Sequence, residues 1–313
     1  MMACTEVWGG HGLTDQAVAM HGMDAWILAR PYQRADAGGD VHLVSSCGTG
    51  RISRLLLADV SGHGVKVAPI AVQLRTLMRR YMNHVEQREF IERLNAAFES
   101  LTSSGVFATA VGVTYFAPTG ALSITLAGHP RPLLFNNAIN RWREMPAPPS
   151  SASSAGGTPP GLPLGVFGDT PYPPVEFRTT PGDLCVLYSD SLIEASRASG
   201  EMLGTEGLVK LMQGLDATEP ERMASGLYNA VLDWAGTSEL GDDVTVLVLR
   251  ATGTSRGASL GERLWASVRF FGDIIRWPLG GRTPAWPEIS VANIVGSIVP
   301  AAERHVGRGA MDV

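Results

Sequence analysis

The sequence predicts an α+β fold, a four-layer αββα sandwich of two largely antiparallel sheets flanked by helix pairs. Its predicted elements run as strands, two helices, strands, two helices and a final strand. Helices and strands therefore do not alternate strictly, as they would around a parallel sheet. Short strands also follow one another closely, separated by turn motifs, as in antiparallel meanders. With 313 residues, 45% of them hydrophobic, the chain is long enough to bury a core without disulfides.

Three strands are predicted first, and the second and third form a hairpin. Residues 25–30, "AWILAR", read as a strand that Pro31 ends. Residues 41–46 and 51–59 follow as strands, and the glycine-rich "CGTG" between them predicts a turn. The preceding residues carry little pattern, so we expect an N-terminal extension over 1–24 and a domain over 25–250.

Two helices follow the hairpin, because the hydrophobic period changes to three and four residues. The first helix is predicted from about residue 65 to residue 82, with Pro69 tolerated near its first turn. The second is marked by further apolar residues at helical spacing. The positions that carry the two patterns are Val67, Ile70, Leu74, Leu77, Met78 and Tyr81, then Phe90, Leu94, Phe98 and Leu101.

The second half repeats the order of the first. A meander of four strands is followed by a low-complexity Pro/Ser/Gly loop, two more strands around the turn "PGD", two helices and a buried last strand. The strands are predicted at 106–116, 121–128, 131–135, 141–145, 175–180, 183–190 and 244–250, the loop at 146–161, and the helices at 205–213 and 220–234.

Residues 251–313 are expected to form a C-terminal tail. Within it, "GERLWASVRFFGDIIRW" predicts an amphipathic helix with Leu264, Trp265 and Val268 on one face. Two explanations stay open for this helix. It packs on the preceding domain or on a second copy of the chain, which would make a homodimer, or it touches a membrane surface through Trp, Phe and Arg.

The net charge, the cysteines and the hydropathy of the chain limit its function and location. The formal net charge of −5 argues against nonspecific binding of nucleic acid, which needs a basic surface. The cysteines Cys4, Cys47 and Cys185 lack metal-site spacing, and small buried side chains in a reducing compartment explain them. Neither a signal peptide nor a run of about 18 apolar residues is present. We therefore expect a soluble, cytoplasmic protein.

Acidic residues stand at the mouths of strands that read as buried. Asp40 follows two glycines, Asp59 and Asp190 each end an apolar strand, and Asp242 and Asp243 begin the last strand. Each alone is explained as a turn residue or a helix cap. Together they would repel one another in a desolvated place, and divalent cations would remove that cost. Hard oxygen ligands suit Mg²⁺ or Mn²⁺, and two such ions can activate water for attack on phosphorus.

Two histidines lie in the same motifs. His63 is an alternative metal ligand, although imidazole suits softer metals, and His129 reads as a turn residue or as support for a ligand. Neither has the spacing of a zinc site. The sequence has no phosphate-binding P-loop and no GxSxG nucleophile motif.

Seven ordered motifs carry a family resemblance from about residue 26 to residue 250. The chain resembles the metal-dependent, protein phosphatase 2C-like family, in the bacterial branch of the stage II sporulation phosphatase E and the RsbU-type serine phosphatases. The motifs are "GGD" at 38–40, "ADVSGHG" at 58–64, "FATA" at 107–110, "LAGHPRPLL" at 126–134, "LPLGV" at 162–166, "PGDLCVLYSDSLIEA" at 181–195 and "GDDVTVLVL" at 241–249.

The resemblance implies two Mn²⁺ or Mg²⁺ ions between the sheets. Asp59 would bridge both ions, the carbonyl of Val60 would bind one, and Asp40, Asp190 and Asp242 would complete the set, with Asp59 and Asp190 as the catalytic pair. The implied reaction is hydrolysis of phosphoserine or phosphothreonine by an activated water, without a phosphoenzyme. The implied partner is a phosphorylated regulatory protein, such as an anti-sigma-factor antagonist in a partner-switching circuit.

The surrounding positions are expected to support the ligands. They are Gly39, Gly62, His63, Gly64, Ser191 and Asp243. Ser191 departs from the family, which usually has glycine after the third aspartate, and this departure keeps open a pseudophosphatase that only binds a partner.

Two other points stay open. Arg30 and Arg34 are near the first motif, where surface charge explains them as well as phosphate binding does. A third hypothesis is a scaffold that dimerises through its helices.

Overall fold

The computed structural model describes residues 4–35, 37–47, 50–62, 67–84, 86–101, 105–148, 158–253 and 311–312. Five α-helices and thirteen strands lie in these ranges. The helices are α1 (Ala68–Tyr81), α2 (Gln87–Leu101), α3 (Ser191–Glu194), α4 (Gly204–Gln213) and α5 (Pro220–Ala235). The strands are β1 (Cys4–Gly10), β2 (Thr14–Met20), β3 (Met23–Arg30), β4 (Asp40–Cys47), β5 (Ile52–Val60), β6 (Ala108–Phe116), β7 (Ala121–Ala127), β8 (Leu133–Asn136), β9 (Arg141–Glu144), β10 (Val175–Arg178), β11 (Leu184–Tyr188), β12 (Val244–Ala251) and β13 (Met311–Asp312).

The strands form two sheets. Sheet A has the order β1-β4-β5-β6-β7-β10-β13, and sheet B has the order β2-β3-β12-β11-β8-β9. Neighbouring strands in the described ranges are antiparallel, apart from the short parallel pair of β10 with β13. The predicted fold class is confirmed.

The core follows from the two-residue period of the strands. Val44, Leu55 and Leu57 belong to one apolar cluster together with Cys185 and Leu247 of sheet B, which places these side chains between the sheets. The alternate positions of the same strands face the other way. Both faces of β4 and β5 are therefore covered, which explains why their sequences read as continuous apolar runs.

Each sheet carries one pair of longer helices on its outer face, as predicted. Helices α1 and α2 pack on sheet A in a cluster with Leu43 and Leu56. Helices α4 and α5 pack on sheet B in a cluster with Val186 and Val246. Pro69 lies in the first turn of α1, where its missing N–H would have no helical partner.

The N-terminal segment contributes a strand to each sheet: β1 pairs with β4, and β2 pairs with β3. Both strands lie within the segment 1–24 that we expected to be an extension, and each adds to a sheet of the fold. The tail helix expected within 251–313 lies outside the described residues, and the domain boundaries stay a prediction. Among the helices of the described ranges, none is long and apolar enough to cross a membrane.

Candidate metal centre

The centre begins with two carboxylates on neighbouring strands of sheet A. Asp40 opens β4 and is the direct antiparallel partner of Asp59 near the end of β5. Both side chains face the space between the sheets, because Asp40 lies an even number of residues from Val44 and Asp59 an even number from Leu57. The antiparallel register therefore brings together two residues that are separated by a hairpin in the sequence.

Sheet B supplies the remaining acids. Asp190 lies two residues after the end of β11, and Asp242 and Asp243 are the two residues before β12. These two strands are antiparallel neighbours, so the end of β11 and the start of β12 lie side by side at one end of sheet B. Burial raises the pKa of Asp59, and the carboxylates of Asp40, Asp190, Asp242 and Asp243 raise it further. The other four predicted acids therefore lie near enough to Asp59 to raise its pKa.

Asp243 has a structural task within this group. Its carboxylate is buried and accepts hydrogen bonds from the backbone N–H of Tyr32 at 2.7 Å and of Gly39 at 2.5 Å. A side chain on Gly38 would overlap the same carboxylate. Asp243 therefore holds the backbone that leads into Asp40. Asp242 is exposed, and its Oδ1 atom accepts a hydrogen bond from the backbone N–H of Asp243 at 2.8 Å.

Asp40 has a buried oxygen atom that no protein group in the described ranges satisfies. Its Oδ2 atom is buried and has no hydrogen-bond partner in the described part of the chain. Burial raises the pKa of Asp40, while the neighbouring hydroxyls of Thr245 and Ser189 partly oppose that rise. An unpaired buried carboxylate oxygen is costly, and a cation is a natural partner for it.

The backbone around the acids also fits a metal. A Cβ atom on Gly39 would lie 3.2 Å from the carbonyl oxygen of Val60 and 3.4 Å from Oδ1 of Asp59, so glycine keeps this space open. The donors are carboxylate and carbonyl oxygens, which Mg²⁺ and Mn²⁺ prefer. In the described ranges, however, no three Asp, Glu, His or Cys side chains form a group that could already hold an ion. The individual ligand assignments therefore stay predictions.

The supporting positions differ in what the structure says of them. Ser191 begins α3, is buried, and has its hydroxyl 3.1 Å from that of Ser189. Gly62 has φ +101°, a value that favours glycine. His63 and Gly64 lie outside the described residues.

The two arginines near the first motif are also placed differently. Arg30 donates to the carbonyl of Thr14 at 3.0 Å and pairs with Asp15, which agrees with the surface-charge explanation. The side chain of Arg34 is outside the described part.

Sequence reasoning missed the hydroxyls that stand behind Asp40. Ser189 accepts a hydrogen bond from the backbone N–H of Thr245 at 2.9 Å and so ties β11 to β12 beside the acids. Both residues are buried. The only signal was their place inside the motifs "YSDS" and "GDDVTV", directly next to the predicted ligands.

Comparison with known proteins shows the family to which this chain belongs. The family described as Stage II sporulation protein E (SpoIIE) matches residues 50–252, well over half of the chain. The chain belongs to the SpoIIE family. A curated relative of this SpoIIE-family chain is the phosphoserine phosphatase RsbU of Bacillus subtilis (strain 168), 23% identical over 197 residues. The match covers 63% of this chain and 55% of RsbU, so the chain spans about half the length of that relative.

Solved structures share the fold. The RsbU and RsbW domains of Rv1364c from Mycobacterium tuberculosis superpose with a TM-score of 0.64 at 22% identity, over 85% of this chain and 72% of that one. The PP2C phosphatase domain of SpoIIE from Bacillus subtilis, solved with a fragment of its regulatory domain, gives 0.62 at 15% identity, over 76% and 65%. RsbX in complex with magnesium gives 0.55 at 14% identity, over 76% and 100%. These similarities confirm the predicted fold.

Proposed function

We propose that this chain is a metal-dependent serine/threonine protein phosphatase that removes phosphate from phosphoserine or phosphothreonine. One observation carries the proposal. Asp40 and Asp59 are register partners in sheet A, and they face the acids of sheet B where β11 ends and β12 begins. Such a gathering of carboxylates suits two divalent cations. Membership of a family with a phosphoserine phosphatase among its relatives supports the choice of reaction.

The ligand set follows the sequence prediction. Asp59 would contact both Mn²⁺ or Mg²⁺ ions, the Val60 carbonyl would contact one, and Asp40, Asp190 and Asp242 would complete the site. When bound, such ions polarise the phosphoryl group and lower the pKa of a coordinated water. The magnesium in the RsbX structure supports this choice of metal.

The chain itself positions these ligands. Asp243 fixes the backbone before Asp40 through two N–H groups. The hydroxyl groups of Ser189 and Thr245 favour the charged form of Asp40. Glycine at position 39 leaves the Val60 carbonyl open to the site. Together these contacts support the proposal that hard oxygen atoms meet at one place between the sheets.

The proposed substrate is a phosphorylated regulatory protein of the anti-sigma-factor-antagonist kind, in a cytoplasmic partner-switching circuit. The RsbU relative is named a phosphoserine phosphatase, and Rv1364c joins an RsbU domain to an RsbW domain. The first name supports phosphoserine as the group that is hydrolysed, and the joined RsbU and RsbW domains support a protein substrate. The homodimer and the membrane contact of the tail stay predictions.

The test is hydrolysis of p-nitrophenyl phosphate and of a phosphoserine peptide with Mn²⁺, Mg²⁺ or EDTA. We compare the wild type with Asp59→Asn and, as a matched control, with Asp233→Asn, an exposed residue of α5. We expect metal-dependent turnover that falls at least about 100-fold in Asp59→Asn, because a ligand shared by both ions is lost. The control should keep full activity. Folded wild-type protein without turnover in either metal would contradict the proposal.

A further inference from the structure

His129 connects the two sheets beside the candidate metal centre. It is buried, with 6% of its surface exposed. Its Nδ1 atom lies 2.8 Å from the hydroxyl of Thr109, and its Nε2 atom lies 3.1 Å from the carbonyl oxygen of Tyr188. A carbonyl only accepts hydrogen bonds, so Nε2 carries the proton and Nδ1 accepts from Thr109.

Both partners of His129 are next to predicted ligands. Thr109, in β6, is the direct register partner of Asp59. Tyr188 is the last residue of β11, two residues before Asp190. The imidazole therefore links a point beside Asp59 in sheet A to a point beside Asp190 in sheet B, across the gap that the ions would fill.

The backbone before His129 is itself fixed. Gly128 has φ +66°, forms an isolated parallel bridge with Ala110, and donates its N–H to the carbonyl of Gly161 at 2.7 Å. Pro163 occupies the place that a Cβ atom on Gly128 would need. The backbone next to His129 is therefore fixed, and two hydrogen bonds fix the imidazole ring. His129 is thus a well-ordered side chain between the two sheets.

Burial and the bond to Tyr188 argue against a role for His129 as a proton donor. Burial lowers the pKa of His129 to about 3, so the ring is neutral at the pH of a cytoplasm. Its one N–H is already donated to the Tyr188 carbonyl. Protonating the leaving serine oxygen would require breaking that bond, and the general acid must be another group or water.

We propose that His129 is a positioning residue that sets the separation of Asp59 and Asp190 for binding the two metal ions. This inference rests on the proposed function. Mg²⁺ in particular demands near-ideal ligand geometry at about 2.1 Å, so a small change in the gap between the sheets weakens binding. Residues that orient ligands from behind typically change metal affinity about 10- to 100-fold when they are replaced.

The test measures Mn²⁺ binding by titration calorimetry, together with kcat, KM and the melting temperature. His129→Ala removes both bonds, Thr109→Val removes one, and His129→Gln offers an amide N–H to the Tyr188 carbonyl. His84→Ala is the control, because His84 is also buried but lies in the turn between α1 and α2, where Met82 contacts Arg54 near the start of β5.

We expect Mn²⁺ affinity to fall about tenfold or more in His129→Ala, less in Thr109→Val, and to recover substantially in His129→Gln. KM for p-nitrophenyl phosphate at saturating Mn²⁺ should change less than about twofold, because bound ions restore the geometry. His84→Ala should lower the melting temperature without changing Mn²⁺ affinity.

Two results would overturn the inference, and they are distinguishable. Unchanged Mn²⁺ affinity in His129→Ala, with only a lower melting temperature, would leave His129 a purely structural residue while the proposed function stands. Wild-type protein that neither binds Mn²⁺ nor hydrolyses phosphate esters would overturn the proposed function together with the inference. If His129→Ala does not fold, Thr109→Val and His129→Gln still decide the question, because each changes one end of the link.

Discussion

Asp243 and Gly38 illustrate how single residues shape the centre. The Asp243 carboxylate is buried because two backbone N–H groups, of Tyr32 and Gly39, satisfy it. The carboxylate also needs space, and Gly38 provides it, because a side chain at position 38 would overlap the carboxylate. The motif "GGD" therefore needs both glycines for steric reasons, one against Asp243 and one against the Val60 carbonyl.

Replacing Gly38 with alanine should disturb the centre more than the size of a methyl group suggests. The new Cβ would displace the Asp243 carboxylate and break its hydrogen bond to Gly39, so Asp40 would shift. We expect Gly38→Ala to weaken Mn²⁺ binding at least about tenfold, measured by calorimetry. Gly241→Ala is the control, because nothing lies within 4 Å of a Cβ atom placed there. Equal Mn²⁺ affinity in the two variants would contradict this account of the motif.

Ser191 is the reason to consider a pseudophosphatase, because glycine often supplies a positive φ or close packing that serine resists. The structure answers the first of these two points. Ser191 is not among the non-glycine residues of the described ranges with positive φ, and it begins a short helix. Its hydroxyl reaches Ser189, which stands behind Asp40.

Ser191→Gly should therefore be mild. It restores the residue usual in the family but removes one hydroxyl contact and adds backbone freedom at the start of α3. We expect kcat/KM with Mn²⁺ to stay within about threefold of the wild type, and the free energy of unfolding to fall by about 0.5–1 kcal/mol. A gain of tenfold or more in turnover would mean that the serine impairs the wild-type centre.

At the scale of elements, Arg54 ties the middle of sheet A to its helices. It lies in β5, is 2% exposed, and donates to the Met82 carbonyl at 2.7 Å and to the Thr114 hydroxyl at 3.1 Å. Its guanidinium also lies 5.1 Å from the ring centroid of Phe90 in α2. One buried cation thus joins β5, β6 and the end of α1 to α2.

Arg54→Met should destabilise the fold, because the Met82 carbonyl loses a charged donor in a buried place. We expect a loss of about 2–3 kcal/mol in the free energy of unfolding, measured by urea denaturation. Arg88→Met, at an exposed ion pair with Glu92 on α2, should cost less than about 0.5 kcal/mol. Similar losses in both variants would show that burial of Arg54 does not determine its contribution.

Which elements could be predicted depended on their periodicity. Strands β4 and β5 are apolar on both faces, and α1 has a clear helical period, so the sequence predicts them closely. Strand β2 is largely exposed along its length and lies at the edge of sheet B, while β1 is interrupted by glycines at its end. Their pairing depends on partners far along the chain, which no local pattern reveals.

At the scale of the whole molecule, the candidate site depends on strand order. The sequence places Asp40, Asp59, Asp190 and Asp242 at strand ends, but their meeting requires β4 beside β5, β11 beside β12, and the two sheets face to face. The glycine-rich turn predicts β4 beside β5, while the family resemblance is what predicts that the acids of the two sheets meet. His129 shows what stays hidden, because its two partners, Thr109 and Tyr188, belong to different sheets.

The most direct test of the central claim is a calorimetric titration of the whole chain with Mn²⁺, beside Asp59→Asn and the control Asp233→Asn. The account predicts two Mn²⁺ ions per wild-type chain, the same for the control, and loss of at least one site in Asp59→Asn. Folded wild-type protein that binds no Mn²⁺, or an Asp59→Asn variant that binds both ions as tightly as the wild type, would contradict it.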